Sequence, residues 1–238
     1  MKKRVLYGSA DYEEIVRENA YFVDKTHYIE KLETVKNPVF LRPRRFGKSL
    51  FCRMLECYYD INRQDDFERL FGHTYIGQHP TPLHNTFLVL FLNFSSIAPT
   101  GTLEDIQKSF DASCNLRLKK VVAKNQAWFK DQISIDVKNN MLFNLKLFLS
   151  VIEENDDFPR LYVIIDEYDN FANQLITAHK DRLYHELTAD DSFLKTFFKI
   201  LKEGRETGAI ANIFITGVLP ITIDDILHSA PILPTSRI

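Results

Sequence analysis

The run Val39-Phe-Leu-Arg-Pro-Arg-Arg-Phe-Gly-Lys-Ser-Leu50 joins an apolar stretch, a basic turn and the tripeptide Gly47-Lys48-Ser49. Those residue types in that order are suited to holding phosphate. Unpaired N–H groups at a helix start, together with the positive end of its dipole, attract anionic oxygens. A lysine there adds a point charge for β- and γ-phosphates, and a hydroxyl beside it can enter the coordination shell of Mg²⁺. The candidate phosphate-binding set is Arg42, Pro43, Arg44, Arg45, Phe46, Gly47, Lys48, Ser49 and Leu50, with Ser49 also a candidate metal ligand. One position departs from the usual G-x-x-x-x-G-K-[ST] pattern, because Arg42 stands where the first glycine belongs. A solvated basic turn capped by Ser49 is the competing reading of the same residues.

A second constellation follows at Leu161-Tyr-Val-Ile-Ile-Asp-Glu167, an all-apolar run ending in two carboxylates. A strand of this kind fixes Asp166 rigidly where it can hold Mg²⁺, directly or through water. Glu167, the next residue, can orient or deprotonate an attacking water. Capping of a following helix explains the same pair equally well when it is taken alone. Thr216 ends a third apolar run and is a candidate for sensing a γ-phosphate, or simply a strand-end hydroxyl.

These residues must be carried by strands and helices. Val39–Leu41 predicts a short strand, and Leu50, Met54, Leu55 and Tyr58 recur at helical spacing after it. Phe87–Leu92 is a continuous apolar run of strand length, which suggests burial on both faces, as in a parallel sheet, and Leu161–Ile165 and Ala211–Thr216 predict two further strands. Helices are expected over Leu103–Lys124 and Met141–Glu153, and around Phe193–Leu201. Residues 63–86 read as loop, punctuated by Gly72, Gly77, Pro80 and Pro82. Upstream, Tyr12–Asn19 predicts a short helix, Tyr21–Thr26 an extended piece, and Thr26 a cap for a helix through Ile29 and Leu32. Strand–helix alternation argues for an α/β domain, whose ligands sit at the carboxyl ends of the strands. Arg42–Lys48, Asp166–Glu167 and Thr216 all fall at such ends.

The bulk properties leave this reading room. In 238 residues, 45% are hydrophobic and 19 are Phe, ample for a buried core. Thirty basic against 32 acidic residues give a net charge of −2, which favours neither bulk nucleic-acid nor membrane attraction. No apolar run has the length of a bilayer span, and the residues from Met1 lack a signal peptide's apolar centre, so a cytoplasmic protein without membrane partners is expected. Cys52, Cys57 and Cys114, odd in number and without a C-x-x-C pair, read as buried reduced thiols.

The ordered set Tyr21-Phe-Val-Asp-Lys-Thr26, Phe40-Leu-Arg-Pro-Arg-Arg-Phe-Gly-Lys-Ser49, Ile164-Ile-Asp-Glu-Tyr-Asp169 and Phe214-Ile-Thr-Gly-Val218 resembles the predicted AAA-ATPase-like family of P-loop proteins, over roughly residues 5–227. In that family R-P-R-R-F-G-K-S takes the place of the ordinary Walker A motif, so the resemblance accounts for Arg42. It implies a P-loop NTPase of the additional-strand (RecA/AAA-like) class, with a mostly parallel sheet and helices on both faces. It also implies Lys48 and Ser49 on phosphate and Mg²⁺, Asp166 as the Walker B carboxylate, Glu167 as the catalytic carboxylate and Thr216 at the sensor position. Members commonly carry a further PD-(D/E)xK nuclease-like domain, for which this sequence shows no counterpart.

The expected organisation is an N-terminal segment (1–37) packed on the core, a P-loop ATPase-like domain (38–227) and a tail (228–238) left by truncation, with Asp224 and Asp225 as helix-start charges. Three functions compete. The first is a Mg²⁺-dependent ATPase, with Glu167, Lys48 and Thr216 as the catalytic set. The second is a nucleotide-dependent interaction module with weak or no hydrolysis, serving an unknown protein or nucleic-acid partner. The third is an inactive remnant. A homo-oligomer completing its site between subunits is compatible with the motifs, but the sequence names no arginine finger: Arg205 lies close to the right strand for one, and a solvated loop arginine is the competing reading.

Overall fold

The computed structural model describes residues 3–130 and 132–218. The expected Asp224, Asp225 and tail 228–238 lie outside them. Four strands, β1 (Val39–Leu41), β2 (Leu88–Asn93), β3 (Leu161–Asp166) and β4 (Ile210–Gly217), form one sheet in the order β1-β4-β3-β2, with every pair parallel. β4, last in the chain, is thus inserted between the strand that feeds the basic turn and the strand that ends in Asp166. This is the additional-strand arrangement expected from the resemblance.

The apolar runs are continuous because the sheet is covered twice. With a side-chain period of two, alternate residues of each strand face opposite layers. Val89, Phe91, Tyr162, Ile164, Phe40 and Phe214 enter one core, which includes Cys52, Met54, Leu55 and Tyr58 of α3 (Lys48–Tyr59). Leu88, Leu90, Leu161, Val163, Ile213 and Ile215 enter the other. That second core is closed by α6 (Leu103–Lys124), α8 (Met141–Glu153) and α11 (Phe193–Glu206). The start of α6 is set locally: Thr102 and Asp105 satisfy each other's backbone N–H groups in a capping box.

The first layer is completed by α1 (Tyr12–Arg17), α2 (Tyr28–Glu33), α4 (Phe67–Phe71) and α5 (Tyr75–Gln78). Residues 63–86 are therefore not simply loop. A 3₁₀ turn over Ile61–Asp66 leads into α4 and α5, both too short to hold by propensity alone. They stand because Leu70, Phe71 and Ile76 are fully buried against α3. α7 (Gln126–Phe129) carries the half-buried Trp128, edge-on to Phe158, in line with a packing role. α9 (Asn170–Thr177) and α10 (Asp181–Thr188) intervene before α11. All three cysteines are free and buried. Among the described residues, no helix is long and apolar enough to cross a membrane.

Thr26 does not cap α2. His27 occupies that position without a side-chain bond, while the Thr26 hydroxyl accepts the N–H of Ile76 at 3.0 Å. Asp24, two residues earlier, accepts the N–H of Thr26 at 2.8 Å and that of Tyr75 at 2.7 Å. Together they clamp the extended piece to the start of α5.

Candidate functional site

The basic turn occupies Arg42–Gly47, at the carboxyl end of β1. Its two bends are made by Arg45 (φ 65°) and Gly47 (φ 89°), both in the left-handed region. Gly47 precedes α3 without a side-chain cap, so Ser49 is not the cap but the second residue of the helix. The first helical bond runs from Phe51 N–H to Gly47 C=O at 3.0 Å. The N–H groups of Lys48, Ser49 and Leu50 come before it and have no partner within the helix. A Cβ built on Gly47 would meet nothing within 4 Å, so open space lies before this helix end.

Lys48 is buried, and its ammonium donates to the carbonyls of Arg42 at 2.8 Å and Pro43 at 3.1 Å. It clasps the turn from inside, which helps hold the loop's shape where the first glycine is lacking. Arg42 is packed rather than flexible. Its backbone N–H extends the ladder to Gly217 C=O at 3.1 Å. Its guanidinium lies over the rings of Phe40 and Phe46, at 5.2 and 5.3 Å. Pro43, Arg44 and Arg45 are exposed, and neither Arg44 nor Arg45 forms an ion pair among the described residues.

On the neighbouring strands, Asp166 is fully buried. The Thr216 hydroxyl donates to its Oδ1 at 2.5 Å, while Oδ2 has no hydrogen-bond partner among the described residues. A buried carboxylate oxygen without a partner is costly, and a cation is the ligand that would satisfy it. The same threonine oxygen accepts the N–H of Glu167 at 3.3 Å and a contact from the Cys52 thiol at 4.0 Å. Cys52 lies one helical turn beyond Ser49 on α3, so Ser49 shares the face that meets Thr216 and Asp166. No cluster of three or more His, Cys, Asp or Glu gathers among the described residues. The fit to Mg²⁺ rests on donor chemistry: the unpartnered Asp166 Oδ2 and the Ser49 hydroxyl are oxygen donors of the kind Mg²⁺ takes beside water and phosphate.

Glu167 has φ 54°, a left-handed conformation that is sterically unfavourable for a residue with a Cβ. Burial pushes its carboxyl above the ordinary glutamate value. Repulsion from Asp166 adds to the rise, and Lys48 and Arg44 oppose it. The turn's cations and the β3 carboxylates therefore face one another across β4.

Tyr168, Asp169 and Gly217 form a support that the motif pattern alone does not reveal. Tyr168 N–H donates to Thr216 C=O at 3.0 Å, and Val218 N–H to Asp169 Oδ2 at 2.9 Å. A Cβ at Gly217 would stand 2.3 Å from the Tyr168 ring, so glycine is what lets the β3 and β4 ends close together. Arg205 is elsewhere: its guanidinium donates to the carbonyls of Ile210 and Ala211, at the amino end of β4. The sheet's length separates it from this chain's own site, and its guanidinium is spent on closing a turn.

A sequence profile described as Predicted AAA-ATPase matches residues 6–227. No match was found among curated proteins or among solved structures. With the profile covering nearly all of the sequence and the loop, carboxylate and threonine brought to one edge of a parallel sheet, the chain belongs to the predicted AAA-ATPase family.

Proposed function

We propose that this chain binds ATP with its phosphates against Arg42–Leu50 and hydrolyses the γ-phosphoryl group. The observation that carries the reading is Asp166, buried with one oxygen held by Thr216 and the other unpartnered, beside a helix start whose N–H groups are free of intrahelical bonds. The N–H groups of Lys48, Ser49 and Leu50 receive phosphate oxygens, and the Lys48 ammonium shifts part of its bonding from the turn's carbonyls to the β- and γ-phosphates. Ser49 and Asp166 would hold Mg²⁺, which supplies neutralising charge on the phosphate oxygens. Arg44, exposed and already close enough to act on Glu167, adds positive charge at the same place.

Glu167 takes a proton from water as the water oxygen attacks the γ-phosphorus, and the bond to the bridging oxygen breaks to release ADP and phosphate. Its left-handed backbone supports this role, because it sets the side chain at an angle that regular β3 geometry would not give. Thr216 holds Asp166 by one oxygen and the Glu167 backbone by the other bond, coupling the two carboxylates. The energy released would drive a conformational change toward a protein or nucleic-acid partner.

The test is Mg²⁺-dependent phosphate release and equilibrium ATP binding for the wild type, Lys48→Ala and Glu167→Gln. Loss of binding in the first variant and retained binding with turnover lowered at least a hundredfold in the second is expected. Unchanged turnover in Glu167→Gln removes Glu167 from the mechanism. Binding without turnover in the wild type points instead to a nucleotide-dependent interaction module.

A further inference from the structure

α6 and α8 run side by side in the same direction over the second core. Met141 N–H donates to Asp111 Oδ1 at 2.9 Å, and about one turn further along Asn144 Nδ2 donates to Asn115 Oδ1 at 2.8 Å. Asn115 and Asn144 are buried, whereas their chain neighbours Leu116 and Phe143 are 53% and 59% exposed. Leu147, one turn beyond Phe143, is 36% exposed. Three large apolar side chains thus project from two adjoining helices, where a single one would be ordinary. Lys119 and Lys120 follow Leu116, and Lys146 follows Phe143, at the three- and four-residue spacings of neighbours on a helix surface. All three lysines are exposed. Residues 112–130 and 137–152 together carry seven basic residues and no Asp or Glu. Of these seven, Lys124 alone forms an ion pair among the described residues, with Asp60. The net charge of −2 conceals this concentration of positive charge.

We propose that this face of α6 and α8 docks on an anionic lipid bilayer. Leu116, Phe143 and Leu147 enter the boundary between headgroups and acyl chains, and Lys119, Lys120 and Lys146 meet the lipid phosphates. Hydrocarbon at the centre and unpaired cations around it are the two components of interfacial attachment. Lysine stems lie along apolar surface while their ammonium groups stay among the headgroups. A second copy of this face is an unfavourable occupant, because it brings like charge against like charge. A nucleic-acid backbone would use the cations but has no use for the exposed hydrocarbon. A protein partner must offer a recess shaped to the three projecting side chains, whereas fluid acyl chains accept a projection of any shape. Attachment of this kind needs no membrane-spanning helix. The phosphate loop leads into α3, in the layer on the other side of the sheet, so docking through α6 and α8 leaves the nucleotide site open.

The full chain, without nucleotide, is sedimented with vesicles of phosphatidylcholine alone and of phosphatidylcholine with an equal share of phosphatidylglycerol. Binding to the anionic vesicles should be about a hundredfold tighter and should weaken as salt is added. The double variant Leu116→Ser, Phe143→Ser changes no charge and removes two apolar anchors, so it should weaken binding by about tenfold or more. The triple variant Lys119→Gln, Lys120→Gln, Lys146→Gln keeps the apolar side chains and should weaken it by about a hundredfold. All five positions are exposed, and thermal melting of each variant checks that the fold is kept. No binding by the wild type overturns the proposal and leaves the face to a protein partner. Equal binding to both kinds of vesicle overturns it as well. So does wild-type binding by either folded variant, which would put the lipid contact on another surface.

Discussion

The Thr216 hydroxyl donates to Asp166 across adjacent strands at 2.5 Å and accepts the Glu167 N–H at 3.3 Å. One side chain on the inserted strand therefore holds both carboxylate residues of β3. Thr216→Val keeps the shape, removes the donor and leaves Asp166 Oδ1 unpaired in a fully buried site. The expected cost is about 1–3 kcal/mol of stability, the range for orphaning a buried polar group. ATP turnover should fall more than nucleotide affinity, because carboxylate placement is lost while the loop is intact. Thr216→Ser, which restores the donor, should recover most of both. Denaturant unfolding and steady-state hydrolysis on the three proteins measure this.

Glu167 predicts an opposition between stability and activity. Burial, then repulsion from Asp166, raises its carboxyl above the ordinary value. The folded state therefore binds this proton more tightly than the unfolded state, and stability is lost as pH rises from the unfolded value through the folded one. Glu167→Gln has no charge to bury. It should unfold at a higher temperature than the wild type at neutral pH, and the gap should close on acidification. Activity runs the other way, since proton acceptance needs the ionised carboxylate. The acid limb of the kcat profile should lie above the ordinary glutamate range, and Arg44→Gln, which removes an opposing cation, should move it higher still. A limb unmoved by Arg44→Gln would show that the two side chains do not interact in the working site.

The strands and the two motifs were legible because each apolar run is buried on both faces and ends abruptly in polar residues. The place of β4 between β1 and β3 was not written in any local pattern; it came through the family resemblance. α4 and α5 carry no local helix signal, because their stability comes from the burial of Leu70, Phe71 and Ile76 in a core shared with α3. Thr26 has the residue type and position of a local cap, yet its hydroxyl accepts from Ile76, fifty residues away, a partner no local pattern indicates. Arg205 lay near the right strand in sequence but at its wrong end in space. Nor did Glu167 advertise its left-handed backbone, which neighbouring contacts impose and side-chain type does not favour.

Gly217 illustrates a residue whose importance lies in what it lacks. Its Cβ position is 2.3 and 2.6 Å from two Tyr168 ring atoms and 2.9 Å from Asp169 Oδ1. The ring cannot yield as a flexible side-chain end would, so Gly217→Ala must push β3 and β4 apart at the site. A stability loss of about 1–3 kcal/mol is expected, as for other overpacked positions, together with reduced turnover. The double variant Gly217→Ala, Tyr168→Ala opens that space, and recovery of turnover relative to Gly217→Ala alone would identify the clash as the cause.

Asp24 fastens the segment before α2 to the start of α5. Burial raises its carboxyl, but bonds from the Thr26 and Tyr75 N–H groups outweigh this and hold it below the ordinary aspartate value. Its contribution to stability is accordingly present above the unfolded value and lost as pH falls through the lower folded one. Asp24→Asn should cost about 0.5–2 kcal/mol at neutral pH, the range for losing an acceptor at a helix start, and the difference from wild type should shrink on acidification. Because the clamp sets the residue before Thr26, Lys25 should lose its station over Phe46. Phe46 belongs to the turn proposed to bind phosphate, so ATP affinity should then weaken several-fold. An Asp24→Asn protein that is destabilised yet binds ATP as tightly as wild type would show that the clamp serves the fold alone.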